Sequence, residues 1–105
     1  MYSELPNHNK VELEAFVDVV LGAGYSLSVS DGDDGWTAPR TEREKLVDWL
    51  GEMDNDEVKV YKGLDYVGWF WLVYGNEPGA LVSNHTANPD CYAIYEAWAA
   101  KVGAE

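Results

Sequence analysis

Three sets of residues in this 105-residue chain have types and spacings that invite chemistry. The first is the loop SDGDDGW, residues 30–36, which partly copies a calcium-binding loop. With Asp31 at position one, Asp33 falls at three, Thr37 at seven and Glu42 at twelve. The pattern fails at position five, where Gly35 offers no side-chain ligand, and at six, where Trp36 stands in place of the required glycine. The second set is His85 and Cys91, a base and a nucleophile by type. Six residues across a helix start do not bring them into contact, and no third group is identifiable to orient the pair. His85 is expected to cap or pack near its turn, and Cys91 to act as a small buried hydrophobe. The third set is glycine-rich, GLDYVG and GNEPG, but both lack the lysine and the strand-to-helix setting of a phosphate cradle. No catalytic residue, cofactor or metal is therefore expected, and the chain does not read as an enzyme. With one cysteine, it can form no internal disulfide.

Charge is the more informative feature. Asp and Glu number 19 against 7 Lys and Arg, a net charge of −12. Such a surface repels nucleic-acid phosphates and anionic lipids and attracts a basic partner. Residues 31–57 hold ten acids against three bases, Arg40, Arg43 and Lys45, which is −7 of the total. The expected partner-binding surface is Asp31, Asp33, Asp34, Trp36, Glu44, Asp48, Glu52, Asp54, Asp56 and Glu57. Glu44, Asp48 and Glu52 recur every four residues, so a helix would align them about 6 Å apart. That row alone is sparser than the phosphates of one DNA strand, about 3.4 Å apart, and only with its neighbours makes a dense patch. Like charges at this spacing cost only about 0.2–0.5 kcal/mol per pair, so an ordinary solvated face is the competing explanation. Trp36 belongs with the patch because an aromatic in a Gly/Asp loop has no periodic reason to be core, and tryptophan is frequent at interface hot spots.

The elements that must position these residues follow from periodicity. Leu13, Phe16, Val17, Val20 and Leu21 form one helical face, in a helix starting after Asn7 or Asn9, either able to cap it, and running to Leu21. Tyr25 to Ser30 alternates as a strand. Thr41 and Glu44 form a capping-box pattern for a second helix, whose buried stripe is Leu46, Val47, Leu50 and Met53; DNDE at 54–57 ends it. Val58–Lys62 is a short strand, and GLDY leads tightly into GWFWLVYGNEP. There Val67, Trp69, Trp71 and Val73 face one way, and Phe70, Leu72 and Tyr74 the other. A strand apolar on both faces is normally covered on both, here by helices on one side and by loops, the remaining helix or a second copy on the other. Trp69, Trp71 and Trp98 are expected in the core. Ala80–Asn84 returns as the last strand. Asn88-Pro89-Asp90 caps a final helix through Cys91, Ile94, Tyr95, Trp98 and Val102. The expectation is a single α+β domain of order α-β-α-β-β-β-α, with about four mostly antiparallel strands, one strand plus a meander, packed by three helices. No run reaches the ~20 apolar residues that span a bilayer, and MYSELPNHNK has no signal-peptide core. The chain reads as cytoplasmic.

Gly68-Trp69, Trp71-Leu-Val-Tyr-Gly-Asn76 with Pro78, Val82-Ser-Asn-His-Thr86 and Asn88-Pro89 resemble a group of small, mostly uncharacterised acidic accessory proteins of tailed bacteriophages. The resemblance covers about three-quarters of the chain, from Gly24 onward, and carries no catalytic residue with it. It implies a protein made in the cytoplasm of an infected bacterium, where small acidic phage proteins neutralise enzymes that handle nucleic acid. The expected function is thus a non-enzymatic inhibitor, with an acidic, DNA-mimicking surface, of a host restriction, CRISPR, repair or transcription protein. The alternative is a structural, self-assembling dimeric protein with no inhibitory role.

Overall fold

The computed structural model describes residues 5–30, 35–51 and 54–103. Seven elements follow in the expected order: α1 (Asn7–Gly22), β1 (Ser26–Val29), α2 (Arg43–Trp49), β2 (Asn55–Lys62), β3 (Asp65–Val73), β4 (Val82–His85) and α3 (Pro89–Val102). The strands form one antiparallel sheet in chain order, β1-β2-β3-β4. The α+β class and the meander are as the sequence implied.

Alternation decides what faces the helices. On β2 the inward positions are Asp56, Val58 and Val60, and on β3 they are Gly68, Phe70 and Leu72; all six are buried. Leu27 and Val29 of β1 pair with Val60 and Val58 and complete this face. Against it lies the α1 stripe of Leu13, Phe16, Val17 and Val20, each fully buried. Phe16 meets Phe70 edge to face, with ring centroids 5.1 Å apart. Each such side chain contributes about 1.5–3 kcal/mol through burial, and α1 is flanked by α2 and α3.

α3 starts as its sequence demands. The Asn88 side chain accepts a hydrogen bond from the Cys91 amide at 2.8 Å, and Pro89 follows in the first turn. The same Asn88 donates through Nδ2 to the Val67 carbonyl at 2.8 Å, tying the cap to β3. Gly68 makes this approach close: a Cβ there would lie 2.5 Å from Cys91 Sγ and 3.0 Å from Thr86.

Several boundaries differ from expectation. Neither Asn7 nor Asn9 caps α1; Pro6 occupies that position, with no side-chain cap, and Asn9 sits inside the helix. The Thr41/Glu44 capping box is not formed, since Glu42 is the N-cap residue. α2 stops at Trp49, because Leu50 is extended and Gly51 takes φ +82°. Residues 55–57 then belong to β2 rather than to a helix end. The largest correction concerns the tryptophans. Trp98 is fully buried, donating through Nε1 to the Glu12 carbonyl at 2.9 Å. Trp69 is only half-buried and Trp71 is 38% exposed, since both point away from the helices.

Candidate functional site

The described residues of the expected acidic surface fall into three places. Glu44 and Asp48 are exposed on successive turns of α2, and Asp54 is exposed just before β2. Glu57 and Trp36 lie on the outward side of the sheet, Glu57 opposite Trp71 in the β2–β3 register. Asp56 is inside. Its carboxylate accepts hydrogen bonds from the Gly51 amide at 2.7 Å and the Tyr74 hydroxyl at 2.6 Å, and it is 8% exposed. Asp56 therefore does not belong to the exposed patch, because strand parity turns it the same way as Val58 and Val60. The row Glu44–Asp48–Glu52 is also broken, as the helix ends before residue 52. Asp31, Asp33, Asp34 and Glu52 lie outside the described residues.

The nearby cations are engaged by other carboxylates. Arg43 reaches from α2 to α1, where it binds Glu14 at 2.9 Å and Asp18 through a second arm. That hydrogen bond holds the Asp18 carboxyl below its ordinary value. Glu42 receives Arg40 at 3.1 Å and Lys45 at 3.2 Å, and the Arg40 hydrogen bond, then that of Lys45, lowers its pKa likewise. The Arg40 guanidinium also stacks over Trp49, 5.5 Å from the ring centroid. Among the described residues, Glu44, Asp48, Asp54 and Glu57 have no cation at ion-pair distance. The bases between residues 40 and 45 thus neutralise the α1 face and Glu42, and leave the α2 carboxylates uncompensated.

The second surface is the outward face of the sheet. It carries Glu57, Lys59 and Tyr61 of β2 and Val67, Trp69, Trp71 and Val73 of β3. Tyr66 packs edge to face on Tyr61 at 5.7 Å, and the Trp71 indole donates to Asn55 Oδ1 at 3.2 Å. The 35–40 segment folds along the β1 edge, where Leu27 and Arg40 exchange backbone hydrogen bonds and Thr37 bonds Val29. This brings the Trp36 ring over Lys59, with Nζ 4.2 Å from the centroid. No described element covers Trp71 or Tyr66, which are 38% and 51% exposed.

A third polar set joins α1 to the turn between β3 and β4. His8 Nε2 lies 2.7 Å from the Asn76 carbonyl, Asn9 Oδ1 accepts from the Gly75 amide at 2.8 Å, and Glu12 Oε2 accepts from the Gly79 amide at 2.8 Å. Asn9 and Glu12 are 1% and 4% exposed, so this clasp is structural. Sequence reasoning missed it, since nothing local distinguishes these residues from surface polar positions of an amphipathic helix.

His85 and Cys91 are not brought into a catalytic relation. The His85 ring stacks between Phe70 and Tyr95, at 5.2 and 5.4 Å, with Tyr92 edge-on. Cys91 is fully buried, and burial, then Asp90, pushes its thiol up. Among the described residues there is no group of three side chains able to hold a metal ion, and no helix is long and apolar enough to cross a membrane. In comparisons with known proteins, no family model, curated protein or solved structure matches the chain.

Proposed function

We propose that this is a non-enzymatic accessory protein that binds and inhibits a nucleic-acid-handling protein through a carboxylate surface centred on α2. The observation that carries this reading is the uneven pairing of charge. Arg40, Arg43 and Lys45 are taken up by Glu42, Glu14 and Asp18, whereas Glu44, Asp48 and Asp54 face solvent with no described cation beside them. On a chain of net charge −12, these carboxylates would speed encounter with a basic groove and suit the lysines and arginines that normally meet phosphate. The resemblance to acidic phage accessory proteins supports the setting, an infected bacterial cytoplasm with a restriction, CRISPR, repair or transcription enzyme as target. Asp31, Asp33, Asp34 and Glu52 lie outside the described residues, and Asp56, being buried, would not take part.

The test is capture from bacterial lysate by the wild-type protein and by an E44K/D48K double variant, at low and high salt, with duplex DNA as competitor. The expected result is a nucleic-acid-binding protein retained at low salt, released by salt or DNA, and not held by the double variant. Recovery of no such protein at low salt, or recovery indifferent to the two charge reversals, would count against the proposal. A second reading, a self-assembling structural protein, is favoured by the aromatic sheet face.

A further inference from the structure

Among the described residues, the outward face of the sheet has the wrong charge for the partner proposed above. By strand alternation, with a register shift between Val60 and Tyr61 that sets Tyr66 opposite Tyr61, its described positions on β2 and β3 are Asn55, Glu57, Lys59, Tyr61, Tyr66, Val67, Trp69, Trp71 and Val73. One acid and one base leave that set neutral, in a chain of net charge −12. A basic partner would gain no electrostatic attraction there. Two identical acidic chains, by contrast, repel wherever their carboxylates meet, and across unlike surfaces the repulsion reaches about 8 Å at physiological salt. The neutral aromatic face is where a second copy can approach without placing like charges together.

We infer that this face is a self-association surface whose occupant is a second copy of the chain, packed sheet against sheet about a two-fold axis. The two charges favour that arrangement. Glu57 and Lys59 are two residues apart on one strand and therefore point the same way, about 7 Å apart. A two-fold axis passing between them sets each Lys59 beside the Glu57 of the other copy, as a self-complementary interface requires. The Trp36 ring lies over the Lys59 ammonium on this face, and around the pair are Trp69, Trp71, Tyr61 and Tyr66, the residue types that dominate interface cores. Trp71 and Tyr66 are the most exposed of the four. The helices, and with them Glu44 and Asp48, stay on the outside of such a dimer. The inference is thus independent of the inhibitor reading and compatible with it.

The experiment is sedimentation equilibrium of the full chain at concentrations up to about 0.1 mM, where a micromolar dimer is well populated. Wild type, W71K, K59E, the swapped double variant E57K/K59E and the helical-face control D48K are compared. Circular dichroism and a thermal melt of each establish that it is folded. The expected result is a wild-type and D48K dimer, a dissociation constant raised at least tenfold in W71K and K59E, and recovery of the dimer in the charge swap. A monomeric wild type overturns the inference, whatever else covers the face. So does a dimer that persists unchanged in both single variants, since its interface would then lie elsewhere. If W71K fails to fold, K59E and the swap alone decide, as they alter no apolar packing of the core.

Discussion

The carboxylate of Asp56 lies 2.6 Å from the hydroxyl of Tyr74, in the interior between the first residues of β2 and the residue following β3. One of ten acids in a run that looks uniformly solvated is thus turned inward, where the Gly51 amide also reaches it. Removing the carboxylate leaves the buried Tyr74 hydroxyl and the Gly51 amide without their acceptor, which costs about 1–3 kcal/mol for an unsatisfied buried group. Removing the hydroxyl leaves the carboxylate bonded to Gly51 and costs less. We expect D56A and Y74F each to destabilise the protein in urea unfolding. The double variant should be less destabilised than their sum, with a coupling of about 1 kcal/mol or more. Additivity would mean that the two groups do not act as a pair.

Tyr74 also contributes to the loss of stability in alkali. Burial, and then the charge of Asp56, raises the Tyr74 pKa well above its ordinary 10.0. Its stabilising contribution is complete below pH 10 and is lost as pH climbs above that value, because the unfolded chain ionises first. Stability measured above pH 10 should therefore fall more steeply for wild type than for Y74F. Equal slopes would contradict the assignment.

On the acid side the corresponding pair is Asp18 and Arg43. The hydrogen bond from Arg43 depresses the Asp18 pKa below its ordinary 3.8. Its contribution is present above that pH and lost as pH falls through the lowered value. Both side chains are about one-third exposed or more, so the pair is worth only about 0–1 kcal/mol. R43M should reduce stability at neutral pH by no more than this and should flatten the loss as pH falls below the ordinary carboxylate value. A loss of several kcal/mol would mean that Arg43 does more than bridge α1 and α2.

Gly68 is required by space. A Cβ 2.5 Å from Cys91 Sγ and 3.0 Å from Thr86 forces one of these side chains, or α3 itself, to shift. G68A should cost about 1–3 kcal/mol through overpacking, and the loss should be partly recovered in a C91A background, where the nearest atom is gone. A G68A variant as stable as wild type would mean that Cys91, Thr86 or α3 gives way freely.

The clasp on the 75–79 turn predicts a local effect. N9A leaves the Gly75 amide without its acceptor and should cost about 1–2 kcal/mol. E12Q keeps an acceptor for the Gly79 amide and should cost less. Amide exchange at Gly75 should accelerate in N9A, while exchange in β2 follows only the global stability. Unchanged protection at Gly75 would show that the turn is held by its own backbone.

Much of this architecture was legible in the sequence because it is encoded by local periodicity. Leu13, Phe16, Val17 and Val20 fixed the buried face of α1, and Asn88-Pro89-Asp90 fixed the start of α3, by rules that act within one or two turns. The parity of GWFWLVY also separated Phe70 and Leu72 from Trp69 and Trp71. What parity could not say was which side the helices would take. All three pack against the Phe70 side, so two tryptophans that bulk alone assigns to the core stand on the open face. The candidate site divided for the same reason. Composition identified an acidic stretch but could not distinguish Asp56 from Glu57. Adjacent residues of a strand point to opposite sides, and only the chain's long-range pairing decides which side is interior. Arg43 illustrates the same limit: its neighbours in sequence suggest a base within an acidic patch, whereas the fold spends it on Glu14 and Asp18 of another helix. Charge and periodicity are properties of the chain; which charges remain free is a property of the packing.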